Sequence, residues 1–345
     1  MENTNTSSVA ESKEDSFELA ITKTTICMAV LAVSLIENIF VLVVLKKDFR
    51  NRLRTANSYF IANMSVADTL FALQNLPLSY NNIVLNGHWV TQGSFGMVLC
   101  KIDMFFSLIS MVTANLTILA IAVNRFFAVY LPFKKIITRR VCFCIIFITW
   151  FISTSFASPM LYYADLSRVT EDLTVCTLTD TDVLKIWYMV LTGILATTLL
   201  AMLVFYTAIG LKLKRQTFPG NPNQRVLTRR QRRDRDVYKM LVTLIIAFYV
   251  CSLPVLMLQL SRVLEFYNAF KKGHGRFIAV VMLFMNGVIN PIIYFIFNES
   301  FRDGVKVVLA KCRCCRRALY SVGRQMDASR RSAGSRIDRR TSSQL

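Results

Sequence analysis

The chain has 345 residues, of which 54% are hydrophobic, and a formal net charge of +20 from 41 Lys and Arg against 21 Asp and Glu. Its mean hydropathy of +0.44 exceeds that of a water-soluble domain, which excludes one. So basic a chain could suit nucleic acid, but the position of the charge argues otherwise.

Residues 1–20 form a polar tail carrying Glu2, Glu11, Glu14, Asp15 and Glu18, with no cationic stretch leading into an apolar core, so no cleavable signal peptide is expected. Seven apolar stretches follow, near 24–45, 57–80, 98–124, 141–161, 186–211, 237–262 and 276–297. Each has roughly the 20 residues that a helix needs to cross about 30 Å of hydrocarbon. Residues 21–298 thus read as a bundle of seven membrane helices, an all-α membrane protein. An amphipathic segment with a cysteine cluster (299–315) and a polar tail (316–345) complete the chain.

Lys and Arg number 5 in 46–56, 5 in 125–140, 10 in 212–239 and 12 after 300, so these segments hold 32 of the 41. They alternate with acidic or neutral loops. By the positive-inside rule the N-terminus is outside and the C-terminus cytoplasmic, which requires an odd number of spans. Most of the charge is therefore topological, with a lesser role in binding anionic lipid or the acidic face of a partner, and no nucleic-acid partner is expected.

Polar and helix-breaking residues inside the spans carry the functional signal, because each is costly in hydrocarbon unless it is used. Asp68 stands in the second span, Asn124-Arg125-Phe126 closes the third, Trp150 is in the fourth, Pro254 in the sixth, and Asn290-Pro291-Ile292-Ile293-Tyr294 ends the seventh. In these residues the chain resembles the rhodopsin-like (class A) G-protein-coupled receptors over roughly residues 20–315. The resemblance implies a plasma-membrane receptor that passes binding of an outer ligand to a heterotrimeric G protein.

It also implies residue roles. Arg125 would be held inactive by intracellular partners and, once the sixth helix swings out, would pack against the G protein with Tyr206 and Tyr294. Asn124 replaces the usual acidic neighbour, and an amide holds a guanidinium less strongly than a carboxylate does. Basal activity is therefore expected, with Asp234 as a further latch to Arg125. Asn38, Asp68, Ser110, Asn286 and Asn290 match a polar network that holds an allosteric sodium ion, although Ala114 stands where a serine ligand is common. Asn38 is expected to bond into the network of Asp68. No other cofactor is required. Glu37 replaces a glycine and has no functional reading. Ser252 stands where a tryptophan floors the pocket, and Thr198 where the fifth span usually has proline; Pro254 can still kink the sixth helix.

Nine cysteines divide by topology. Cys100 and Cys176 lie on the oxidising side and match the family's bridge from the second outer loop to the third helix. Cys312, Cys314 and Cys315 match palmitoylation sites behind an eighth helix on the inner leaflet; zinc binding is the weaker rival. Asn5 heads a glycosylation sequon, whereas Asn63 and Asn115 head sequons inside spans, where they should be silent. The serines and threonines of the tail suit receptor kinases and arrestin, and Ser343-Gln344-Leu345 fits a PDZ groove.

Ligand-facing positions by the resemblance are Asp103, Ser107, Leu108, Met111, Val255, Leu256, Gln259, Val280 and Phe284, which are mostly apolar. Ser107 occupies the place of the amine-binding aspartate, and the seventh span lacks a lysine for retinal, which disfavours an aminergic ligand and a photoreceptor. Pro77, Trp89 and the acidic tail favour a peptide; the apolar positions keep a lipid or small neutral amphiphile open. The rival class is a channel or transporter, which would show matched internal repeats. No nucleophile motif or phosphate loop supports an enzyme.

Overall fold

A computed structural model of the chain describes residues 17–47, 55–84, 89, 91–131, 133–134, 136–168, 174–178, 181–215, 224–263 and 275–311. Asn5, Cys312, Cys314, Cys315 and Ser343 to Leu345 lie outside the described residues, as do the side chains of Asp234 and Gln259.

The described helices are α1 (Phe17–Lys46), α2 (Ala56–Val84), α3 (Gly93–Tyr130), α4 (Arg139–Ala157), α5 (Pro159–Tyr163), α6 (Thr181–Arg215), α7 (Gln224–Val263), α8 (Gly275–Phe297) and α9 (Glu299–Lys311). They run past the expected spans because backbone bonding continues after hydropathy falls. The largest excess is at α7, which starts at Gln224 rather than 237. Between α4 and α5, Pro159 has no N–H to continue the ladder, and the helix breaks at Ser158. Thr138 caps α4 by accepting from the Val141 N–H at 3.4 Å.

Six of these helices are long and apolar enough to cross a membrane by length and composition. The exception among the expected spans is α2, whose 29 residues reach about 43 Å at the usual helical rise. Its composition is diluted by Asn57, Ser58, Asn63, Ser65, Asp68 and Asn75, all of which are buried. These side chains face protein rather than lipid, which is where a polar group in a membrane helix can find partners.

The helices pack in a ring in which α1 touches α2 and α8, and α7 touches α6 and α8, while α3 contacts α2, α4 and α6. Helix α3 buries 67% of its apolar window, against 22% for α4, so it is the axis of the bundle. Outward faces stay apolar: Phe147 and Phe151 on α4, Ile36 on α1 and Leu200 on α6 are all exposed. A helix that is hydrophobic all round belongs in lipid.

One short element of the described residues lies outside the helical bundle. Strands β1 (Ala164–Arg168) and β2 (Thr174–Leu178) form an antiparallel hairpin in the connection between α5 and α6, with Leu166 opposite Cys176. The Cys100–Cys176 disulfide ties this hairpin to α3 with a Cα–Cα distance of 5.7 Å. The buried Trp89 adds a backbone bond to the Thr174 carbonyl at 2.6 Å and packs with Cys100 and Ala164. At the other end of α3 stands Arg125. Helix α9 folds back against α1 and α8, burying Phe301 and Val305.

Candidate functional site

Three zones follow one another along α3, and the one at its middle is a cavity of about 50 Å³ between α2, α3, α6, α7 and α8. Of the expected ligand positions, Met111, Val255 and Leu256 border it. Leu108 is buried in a cluster with Ile109, Ala157 and Leu191, whereas Phe284 is buried with Cys27, Leu31 and Ala72, and Val280 packs on that second cluster. Asp103 lies near the hairpin end; its backbone carbonyl accepts from the Gln74 amide at 2.9 Å, and its Oδ2 is buried without a hydrogen-bond partner among the described residues. Ser107 is half-buried on α3.

The same cavity reaches the polar network. Asp68, Ser110 and Asn286 line it together with Asn115, while Ala114 contributes only a methyl group. Asn290 donates to Asp68 Oδ2 at 3.3 Å across α8 and α2. Asn38 bonds elsewhere than expected: its amide donates to the Gly287 carbonyl at 3.0 Å and to the Ser34 carbonyl at 2.9 Å, not to Asp68. The reason is the close approach of α1 and α8 at Gly287, where a Cβ would collide with Ser34 Oγ. The donor set at Asp68 is all oxygen, and the buried Ser110 Oγ has no partner among the described residues, so these residues fit a hard cation such as sodium. Among the described residues no group of three or more His, Cys, Asp and Glu is placed to hold a metal.

Asn115 and Thr198 are the pair that sequence reasoning missed. Asn115 Nδ2 donates to Thr198 Oγ1 at 2.9 Å, joining α3 to α6. Thr198 Oγ1 in turn lies 3.0 Å from the Ile194 carbonyl and 2.9 Å from that of Leu195. A hydroxyl so bonded satisfies itself on the preceding turn of its own helix. The available signal is Asn115 itself, an amide inside an apolar run, where the sequon it heads is silent. A second polar chain anchors α4: Trp150 Nε1 donates to Asn63 Oδ1 at 2.8 Å, and Asn63 Nδ2 to Thr117 Oγ1 at 2.8 Å.

Toward the Arg125 end the core closes. Tyr206 and Tyr294 are buried in one cluster with Ile118, Ile121, Leu244 and Ile245. Arg125, half-buried beside the half-buried Asn124, interacts electrostatically with Tyr206, and Tyr206 with Tyr294. Tyr294 hydroxyl lies 3.3 Å from Met64 Sδ, whereas the buried Tyr206 hydroxyl has no hydrogen-bond partner among the described residues. Phe126 stacks on Tyr130 at 4.4 Å and packs on Phe205 at 5.3 Å, and the Tyr130 hydroxyl donates to the Ala208 carbonyl at 3.0 Å, so α3 and α6 are held together here. Helices α6 and α7 are joined by the Tyr249 hydroxyl on the Leu199 carbonyl at 2.5 Å, five residues before Pro254. They also meet where the Tyr238 side chain covers Gly210.

This is a chamber between helices with a polar floor, beneath a disulfide-tied hairpin and above an interlocked set of α3, α6, α7 and α8. Comparison with known proteins agrees with that construction. The chain is 28% identical over 306 residues to the substance-P receptor of Aquarana catesbeiana, covering 84% of this chain and 71% of the relative. It is 28% identical over 277 residues to the tachykinin-like peptides receptor 99D of Drosophila melanogaster, covering 76% of this chain and 52% of the relative. The RYamide receptor of the same fly is 28% identical over 290 residues, covering 81% of this chain and 62% of the relative. The chain thus spans between about half and about seven-tenths of the length of these relatives. The model of the seven-transmembrane receptors of the rhodopsin family matches residues 37–294, and the chain belongs to that family.

Proposed function

We propose that this receptor is opened by a peptide at its hairpin end and activates a heterotrimeric G protein at its Arg125 end. The observation that carries the reading is the agreement among relatives, whose names are those of receptors for substance P, tachykinin-like peptides and RYamide. The hairpin end is outside, since a disulfide forms on the oxidising side. The Lys- and Arg-rich segments, the C-terminal tail and α9 on the inner leaflet are then cytoplasmic.

In this reading the peptide favours a state in which the inner ends of α6 and α7 move apart and expose Arg125. Parting them uncovers Gly210 from Tyr238. It also frees the buried Tyr206 hydroxyl to find a new partner beside Arg125. Asp234 latches the resting state. A sodium ion at Asp68, held with Ser110, Asn286 and Asn290, supplies positive charge to the buried carboxylate and favours rest. Phosphorylated serines of the tail recruit arrestin, Cys312, Cys314 and Cys315 carry palmitate, Asn5 carries glycan, and Ser343 to Leu345 engages a PDZ domain.

The test is a panel of synthetic neuropeptides applied to cells that express the receptor with a G-protein dissociation sensor. A saturable response to a peptide supports the reading. A response to lipids or neutral amphiphiles alone, with the receptor at the surface, rejects it.

A further inference from the structure

We infer that Glu37 docks a second copy of this receptor, α1 against α1, with the two Glu37 carboxyls hydrogen-bonded to each other at a two-fold axis along the membrane normal. Glu37 lies fourteen residues after Lys23 and nine before Lys46, which at the helical rise is about 21 Å and about 14 Å from those charged ends of the helix. It is therefore in the middle of the hydrocarbon, beyond the reach of water and of lipid headgroups. Helix α1 stands at the rim of the bundle, with only 28% of its apolar window buried. Val33, one turn before Glu37, and Ile26, three turns before it, are exposed on the same side, and the adjoining Ile36 is 67% exposed. Glu37 is half-buried at the edge of this outward face.

Its own receptor does not satisfy this carboxyl: Glu37 Oε2 is buried without a hydrogen-bond partner among the described residues. The neighbouring Asn38 turns into the bundle, where its amide meets the Gly287 and Ser34 carbonyls, so the two polar residues serve different surfaces. A polar group left unpaired in hydrocarbon is costly, and the cost is removed by another polar group at the same depth. A second copy brings one by necessity. The distribution of Lys and Arg gives every copy the same orientation in the membrane. Two copies related by a two-fold axis along the normal then hold their Glu37 residues at one level, since such an interface uses the same patch twice. A carboxylic acid carries a donor and an acceptor, so a pair of them can satisfy each other, with Ile26, Val33 and Ile36 of both copies packed around the pair. A foreign helix would have to carry a polar group at that level independently.

The experiment mixes full-length receptor labelled at its N-terminus with a donor fluorophore and receptor labelled there with an acceptor, both purified and reconstituted in phosphatidylcholine vesicles. Energy transfer is read as the protein-to-lipid ratio rises. Transfer should saturate and be competed by unlabelled receptor. Glu37→Leu should weaken the association by about tenfold, the size expected for interhelical hydrogen bonds in hydrocarbon. Glu37→Gln, whose amide also carries donors and an acceptor, should retain most of it. Glu37→Lys should not associate with itself but should pair with the unsubstituted receptor, because an ammonium then meets a carboxylate across the axis. Phe151→Ala, on the outward face of α4, should change nothing. An unsubstituted receptor that stays monomeric at every ratio would overturn the pairing and leave the carboxyl to a foreign helix. Association of Glu37→Leu as tight as that of the unsubstituted receptor, or a loss in Glu37→Gln as large as in Glu37→Leu, would overturn it as well. If Glu37→Lys does not fold, the leucine and glutamine variants decide. The vesicles hold neither peptide nor G protein, so the outcome is separate from that of the peptide reading.

Discussion

Asn115 on α3 donates to Thr198 on α6 at 2.9 Å in the buried middle of the bundle. The two replace an apolar contact by a directional one at the joint between the cavity and the Arg125 end. Interhelical hydrogen bonds inside membrane proteins contribute about 0.6 kcal/mol on average and up to about 1.7 kcal/mol. Asn115→Leu and Thr198→Val should each lower the unfolding midpoint, and a double-mutant cycle should return a coupling of about 0.6–1.7 kcal/mol. Strict additivity of the two substitutions would show that the bond contributes nothing to the resting bundle.

Gly287 lets α8 approach α1, and a Cβ there would strike Ser34 Oγ. The next atom, Ser34 Cβ, would be 3.5 Å away, an ordinary contact. Gly287→Ala alone should therefore cost about 1–3 kcal/mol, the usual penalty of overpacking. Combined with Ser34→Ala it should recover much of that loss. The readout is detergent-solubilised thermal stability; no recovery in the double variant would move the strain elsewhere.

The Cys100–Cys176 bridge closes a separation of 76 residues. Chain-entropy reasoning gives it about 4 kcal/mol of stabilisation. Cys100→Ser and Cys176→Ser should show the same loss of surface receptor and peptide response, and the double variant should be no worse than either. Among the described residues the free cysteines Cys27, Cys142 and Cys251 are buried and Cys144 is exposed.

Asn124 stands beside Arg125 without a negative charge. Asn124→Asp should hold the guanidinium more firmly, since a charge-assisted bond is roughly twice as strong as a neutral one. Ligand-free signalling, measured at equal surface expression, should fall. An increase would mean that Asn124 stabilises the active state instead.

Much of the receptor was legible in the sequence because the bilayer imposes simple rules. Length and hydropathy located the spans, and Cys100 and Cys176 were bridge partners on topological grounds. Asn290 and Asp68, two polar residues on different helices, did meet. Less legible was whatever depends on which helix faces which. Helix α2 is polar because it is enclosed, so hydropathy understates it. Asn38 turned to Gly287 because the glycine brings α8 within its reach. The β1–β2 hairpin is two short strands held by a disulfide and by Trp89, and short strands leave little periodicity. Asn115 was passed over because its partner, Thr198, is 83 residues away.

The most direct measurement is G-protein nucleotide exchange in membranes carrying the receptor, with and without an activating peptide, beside Arg125→Ala at matched surface density. Exchange above that of receptor-free membranes, raised by the peptide and abolished by Arg125→Ala, is the expected result. Exchange that persists unchanged in Arg125→Ala would contradict the assignment of that end of α3 as the coupling site.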